Sequence, residues 1–330
     1  MGLREDLGLS CLSIPIDLQR KACTEYYRKD KMGKFRITSI GEILYDVYPE
    51  YKKLGGAPFN FIYHVWKLNG NASFISRVGD GKNGKEMLKQ LKAMKFDCKY
   101  IGVDTIHPTG KVNIRLLEDK TPQFTISQES AWDYIELTDK IEKLVKQKTD
   151  ILYFGTLSQR NFTTRNTIEH LLNEKIKYFC DLNLRHHFFN ENIIATSLQK
   201  SNVIKINEAE LEIVMESVYG RTYGTRDSVK KLIKDFDIDL LCVTMGENGA
   251  YLFSKTGSNK YKARVKNLVD TVGAGDAYAA ILCLGYLNEW SIGKINHIAS
   301  NFAADICTVD GAIPENDSIY KKYINEFKDG

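Results

Sequence analysis

The residues with the most specific chemistry form one segment, Asp270-Thr-Val-Gly273-Ala274-Gly275-Asp276, which runs into AYAAILCLGYL. That continuation is alanine-rich, apolar and free of proline, and predicts a helix. The two glycines therefore fall at a helix N-terminus, where backbone N–H groups lack partners and the dipole is positive, a place suited to an anion such as phosphate. Small residues let a substrate approach the backbone closely. Asp276 falls in the first turn beside that hole, where a carboxylate can take the proton of a hydroxyl that attacks phosphorus. The same residues also fit an ordinary glycine-rich turn in which Asp276 complements the helix dipole, and the segment alone leaves both open.

A second constellation is Asp181-Leu-Asn183-Leu-Arg185. If the preceding strand continues this far, its three polar residues share one face by the period of two and emerge at the strand's carboxyl end. Arg185 would then clamp a substrate or a moving phosphoryl group, with a surface salt bridge as the plainer reading. Gly79 to Glu86 nearly spells a P-loop, but Glu86 stands where the magnesium-binding hydroxyl belongs, so a P-loop is rejected. His186 and His187 lack a suitably spaced third ligand and read as a solvated pair. Trp66, Trp132 and Trp290 read as packing residues, since no basic stripe accompanies them.

These residues must be positioned by alternating elements. Apolar runs at 35–40, 73–78, 151–155, 177–182, 202–206, 240–245 and 250–254 predict strands, and amphipathic stretches such as Lys85 to Lys95 lie between them. Pro58 opens a helix that runs toward Gly70. The order predicts an α/β fold with a mostly parallel sheet covered on both faces. From Tyr100 to Ser127 the alternation breaks: KVNIRLL and QFTIS read as strands with no helix between them. With the piece near Tyr48–Leu54 they predict a small β-structure, either a lid over a ligand site or a decorated edge. Residues 1–34 read as an extension of unknown role, and charges at Arg4, Glu5 and Asp6 with Pro15 break any signal-peptide core.

Composition excludes other classes. In 330 residues, 46 basic against 42 acidic side chains leave a net charge of only +4, too weak a bias for nucleic acid or an anionic membrane. No run of about 18 apolar residues suggests a membrane helix. Seven scattered cysteines without a C-x-x-C pair predict reduced thiols and a cytoplasmic protein.

Five segments then converge: Gly55-Gly-Ala-Pro-Phe-Asn60, Val78 to Gly84, Asn207-Glu-Ala-Glu210, Thr244-Met-Gly246-Glu-Asn-Gly249, and Asp270 to Asp276. In this order and spacing the chain, over about residues 35–315, resembles the PfkB, or ribokinase-like, carbohydrate kinases, and its GGAPxN segment resembles the fructokinase branch. The resemblance implies a three-layer α/β/α core carrying a small β-sheet lid, with lid segments about 48–56 and 98–130 inserted in a domain spanning 35–330. It implies ATP-dependent phosphorylation of a sugar hydroxyl, most simply that of fructose. Asp276 matches the catalytic base, and Gly273, Ala274 and Gly275 match the anion hole. Asp46, Gly56, Asn60 and Arg185 match sugar-side residues. Asn207, Thr244, Gly246 and Gly249 match the nucleotide side, and Asn207 with Glu210 matches the pair that organises Mg2+ through water. The carbonyls of Asp270 and Val272 match part of a K+ site. Lid-to-lid pairing in such kinases implies a homodimer. Gly81 departs from the family, which commonly has an acidic residue there. The same chemistry on ribose, 2-keto-3-deoxygluconate, a nucleoside or a sugar phosphate, and a non-catalytic sugar- or nucleotide-binding regulator, remain alternatives.

Overall fold

The computed structural model describes residues 35–116 and 122–327, so the expected N-terminal extension lies outside the described residues. The strands, in chain order, are β1 (Ile37–Ile40), β2 (Leu44–Val47), β3 (Lys52–Gly55), β4 (Ala72–Gly79), β5 (Ile101–Asp104), β6 (Gly110–Leu116), β7 (Pro122–Ile126), β8 (Ile151–Gly155), β9 (Lys177–Asp181), β10 (Val203–Asn207), β11 (Leu240–Thr244), β12 (Ala250–Ser254) and β13 (Gly257–Tyr261). The helices are α1 (Ala57–Asn69), α2 (Lys82–Ala93), α3 (Asp139–Lys148), α4 (Phe162–Leu171), α5 (Glu191–Lys200), α6 (Glu208–Tyr219), α7 (Thr225–Phe236), α8 (Ala274–Leu287), α9 (Ile292–Ile306) and α10 (Ser318–Ile324).

Nine strands form the large sheet in the order β13-β12-β11-β10-β9-β8-β1-β4-β5. Its strands from β11 through β5 run parallel, and β12 is antiparallel to both of its neighbours. Central strands such as β8, sequence ILYFG, are buried along their whole length, as a sheet covered on both faces requires. Alternation then sorts the side chains. Ile151 and Tyr153 join the core beneath α1, α8 and α9, while Leu152 and Phe154 join the core beneath α4, α5, α6 and α7. Phe61 of α1 stacks on Tyr153 at 3.8 Å, which fixes α1 over the middle of the sheet.

A second sheet of four strands, β3-β2-β6-β7, stands on this body. Its composition corrects the sequence reading at two points. The small sheet begins at Leu44, inside the GEILYD segment, where the expected segment began near residue 48. Ile101–Asp104, expected within the 98–130 segment of the lid, pairs in parallel with β4 as the edge of the large sheet. Only four residues long, with Gly102 and Asp104 among them, IGVD gave no signal of which sheet it would join.

Local chemistry explains why the glycine pair sits between the sheets. Gly56 caps α1 with φ 107°, and a Cβ there would come within 2.5 Å of the Glu42 carbonyl oxygen. A Cβ on Gly55 would overlap the Asp46 carboxylate. Pro58 lies in the first turn of α1, and Gly70 ends that helix with φ 76°. Gly81, by contrast, caps α2 in extended conformation with open space where a side chain would go, so the family's acidic residue would fit there without changing the turn. Gly56→Ala is therefore expected to destabilise the protein by about 1–3 kcal/mol through strain at a left-handed position. Gly81→Asp is expected to be neutral or to gain a few tenths of a kcal/mol as an N-cap. Chemical denaturation of both variants checks this, and equal losses in the two would contradict it.

Candidate active site

The carboxyl ends of the central strands bring most of the residues singled out in the sequence to one edge. Register pairs Gly155 with Asp181 and Asp181 with Lys205, and it pairs Asn207 with Thr244. Facing them is the N-terminus of α8. Gly273 is its cap with φ 79°, and Ala312 packs so closely behind it that a Cβ on Gly273 would lie 2.6 Å from the Ala312 Cα. The Ala274 N–H donates to the Thr271 carbonyl at 3.3 Å, while the Gly275 N–H has no acceptor among the described residues. That leaves donors at the positive end of a fourteen-residue helix.

Asp276 is half-buried in the first turn and accepts a hydrogen bond from Asn60 Nδ2 at 2.8 Å. Asn60, on α1, keeps its buried Oδ1 without a partner. Burial and then the nearby Asp181 carboxylate push the Asp276 carboxyl up to about 7, against the pull of the Asn60 hydrogen bond and the charges of Lys205 and Arg185. Asp181 is itself buried. It receives the Lys205 ammonium at 2.8 and 3.0 Å and the Tyr153 hydroxyl at 3.2 Å. Burial pulls the Lys205 pKa down, but Asp181, Asp276 and Glu210 outweigh it and hold the pKa above the ordinary lysine value. The Lys205 Nζ lies 3.4 Å from where a Gly275 Cβ would stand, so the small residue there makes room for the ammonium beneath the helix terminus.

On the small sheet, Asp46 of β2 is pushed up to about 6 by burial and by the Asp270 carboxylate, against Arg185 and Lys53. Arg185 is exposed, and its charge acts on Glu42, Asp46 and Asp276 alike, which places it between the two sheets. It does not get there by strand alternation. β9 ends at Asp181, and Asn183 and His186 take φ 42° and 48°, so a tight irregular loop carries Arg185 inward. His186 and His187 are exposed beside Phe188, and no group of three or more His, Cys, Asp or Glu side chains suited to a metal exists among the described residues.

Asn207 and Glu210 form a capping box at the start of α6. The Asn207 Oδ1 accepts from the Glu210 N–H and the Glu210 Oε2 from the Asn207 N–H, both at 2.9 Å. Glu210 Oε1 also accepts the Leu184 N–H at 3.0 Å, which ties the Arg185 loop to α6. Burial and Asp181 raise the Glu210 pKa against Lys205 and these donors. Each of its oxygens retains a second lone pair, so a hydrated cation still fits. Thr244 ends β11, and Gly246 (φ 53°) and Gly249 (φ 88°) shape the turn into β12; the Gly246 position is open. Asp270 accepts the Val272 and Gly311 N–H groups, each at 3.0 Å. No hydrogen bond among the described residues uses the carbonyls of Asp270 or Val272, which leaves both free for a cation.

Three members of the cluster escaped the sequence reading. Lys205 is the strongest case, and its signal was present: a lysine inside the strand run NVIKI has apolar neighbours on both sides and must be paired if it is buried. Tyr153 was read only as part of an apolar strand. Glu42 is fully buried, accepts from the Ser158 hydroxyl, and is raised by burial against Ser158, Arg160 and Arg185.

Comparison with known proteins places this arrangement. The family model described as pfkB family carbohydrate kinase matches residues 36–319. Fructokinase from Escherichia coli is 26% identical over 299 residues, covering 84% of this chain and 95% of that relative. An ATP-dependent 6-phosphofructokinase from Thermoanaerobacterium thermosaccharolyticum is 27% identical over 315 residues, covering 88% and 94%. Among solved structures, a fructokinase double mutant from Vibrio cholerae O395, in its fructose, ADP and potassium ion bound form, superposes with a TM-score of 0.72 at 21% identity, covering 89% of this chain and 98% of that one. No described helix is long and apolar enough to cross a membrane. With the nine-stranded sheet, the small four-stranded sheet and the glycine-capped α8 in place, the chain belongs to the pfkB family of carbohydrate kinases.

Proposed function

We propose that this kinase transfers the γ-phosphoryl group of ATP to a hydroxyl of free fructose, with Asp276 as the general base. The observation that carries the reading is the Asp276 carboxylate, held by Asn60 at the N-terminus of α8 and raised to about 7. A base poised near working pH can take the hydroxyl proton without being permanently protonated. The free Gly275 N–H at the α8 terminus would receive the transferred group in the hole formed by Gly273, Ala274 and Gly275, and Arg185 would neutralise its charge. Asp46 and the orphaned Asn60 Oδ1 would accept acceptor hydroxyls, while Gly56 gives them room. Asn207, Thr244, Gly246 and Gly249 would line the nucleotide. Magnesium supplies charge neutralisation on the phosphates when bound, and Glu210 and Asn207 would hold it through water. A potassium ion, as in the Vibrio fructokinase, would use the free carbonyls of Asp270 and Val272.

A neutral acceptor suits the local charge. Five carboxylates, Glu42, Asp46, Asp181, Asp270 and Asp276, meet four cations, Lys53, Arg160, Arg185 and Lys205, around this cleft and outnumber them by one. A phosphorylated sugar would bring two further negative charges into that surplus. Fructose 6-phosphate, the acceptor class suggested by the phosphofructokinase relative, is thereby disfavoured.

Turnover of ATP with magnesium and potassium across fructose, fructose 6-phosphate, ribose, 2-keto-3-deoxygluconate and adenosine checks this. Fructose is expected to lead, and Asp276→Asn is expected to lose about 10²–10⁴-fold. Wild-type kcat/KM is expected to fall tenfold per pH unit below about 7, because protonation removes the base. A preference for fructose 6-phosphate would overturn the acceptor, and an active Asp276→Asn would overturn the base. If sugar and ATP shift the melting temperature but no ADP forms, the protein is a binding regulator. We also propose a cytoplasmic homodimer joined through the small sheet, whose outer strand β7 leaves Phe124 45% exposed. Light scattering is expected to give about twice the 37.6 kDa of one chain, and a mass near one chain would refute the dimer.

A further inference from the structure

We infer that Lys53 is a positioning residue that ties the acceptor-binding strand pair to the loop behind the anion hole. The inference rests on the reading of Asp276 and Gly273–Gly275 as the transfer site. Lys53 stands directly opposite Asp46 in the antiparallel β2–β3 pair, so both side chains leave the same face of the small sheet, toward the cleft. The Lys53 stem lies flat on Gly311: a Cβ there would stand 3.0 Å from Lys53 Cδ and 3.7 Å from its Cε. Its ammonium pairs with Asp310. Tyr48 and Tyr51, stacked at 4.5 Å, flank the same ammonium at 5.8 and 5.2 Å.

The contacts continue into the site. The Gly311 N–H donates to Asp270 Oδ2 at 3.0 Å, and the other Asp270 oxygen accepts from Val272. Ala312, the next residue, is the one packed against Gly273. One continuous run of contacts thus links Asp46, Lys53, Asp310 and Gly311, Asp270 and Ala312, and Gly273. The neighbouring Lys52 points the other way by the period of two and binds Asn83 at 3.1 Å and Glu86 at 2.7 Å on α2. β3 is therefore pinned on one face to α2 and on the other to the loop behind the anion hole, and only the Lys53 side reaches that loop.

Asp310 is 69% exposed, so this ion pair adds little to global stability. Its effect is on placement. Transfer requires the acceptor hydroxyl and the anion hole to be fixed relative to each other, and a displacement of about 1 Å can cost about 10²-fold.

The test uses Lys53→Met, which keeps the stem on Gly311 and removes the charge, together with Asp310→Asn and the exchanged pair Lys53→Asp with Asp310→Lys. With the best acceptor of the panel, both single variants are expected to keep the wild-type melting temperature and the KM for ATP. Both are expected to lose about tenfold in kcat, with a larger share of ATP hydrolysed without transfer. The exchanged pair is expected to recover at least half of the lost kcat on a logarithmic scale. Independently of turnover, amide hydrogen exchange at Gly273–Asp276 is expected to quicken about threefold in Lys53→Met. A kcat within twofold of wild type with unchanged exchange overturns the inference. So does a loss seen in Lys53→Met that Asp310→Asn does not reproduce. Asp276→Asn is run alongside: if it stays active, the transfer-site reading itself has failed and takes this inference with it.

Discussion

Two carboxylates, Asp181 and Asp276, share the space beneath the N-terminus of α8 with one ammonium, Lys205. In a buried setting two negative charges so placed repel, and removal of Lys205 would leave Asp181 without its ion pair and Asp276 with Asn60 and Arg185 alone. Asp181 takes the direct ion pair and the Tyr153 hydroxyl, while Asp276 receives Asn60 and the more distant charges of Lys205 and Arg185. Burial first, and this unequal division after it, keep Asp276 reluctant to ionise yet able to. The rest of the architecture serves it. β9 and β10 must lie side by side in register to pair Asp181 with Lys205, and α1 must stack on Tyr153 to bring Asn60 across.

The same economy of parts recurs around the cleft. Glu210 closes a helix cap, anchors the loop that carries Arg185, and retains lone pairs for a hydrated ion. Asp270 holds two backbone N–H groups with its carboxylate, while its own carbonyl and that of Val272 accept none among the described residues. Gly55 and Gly56 exist where they do because the Asp46 carboxylate and the Glu42 carbonyl occupy the volume a Cβ would need. Structural and chemical roles are carried by the same groups, so a substitution here changes both the shape and the charge of the site.

How much of this was legible in the sequence follows from the kind of signal each part leaves. The α8 terminus was legible because glycines before an apolar, alanine-rich run have one structural meaning. The parallel sheet was legible because its buried strands are continuous apolar runs. β13, sequence GSNKY, is mostly polar and left no such trace. Arg185 was found by its residue type but placed by the wrong geometry, since a period of two cannot foresee left-handed backbone at Asn183 and His186. Asn207 and Glu210 were read for their oxygens alone, although their three-residue spacing also spells a capping box. Lys205 was missed because a lysine is ordinarily a surface residue, and only its partner, far away in sequence, makes burial tolerable.

The most direct test is a carboxyl-carbon NMR titration of Asp276, in the wild-type protein and in Lys205→Met. The account predicts a midpoint near pH 7 in the wild type, moving upward when Lys205 loses its charge, because the cation favours the ionised carboxylate. A midpoint near that of an ordinary exposed aspartate, about 4, or one that ignores the loss of Lys205, would contradict the claim that this buried charge cluster sets the base.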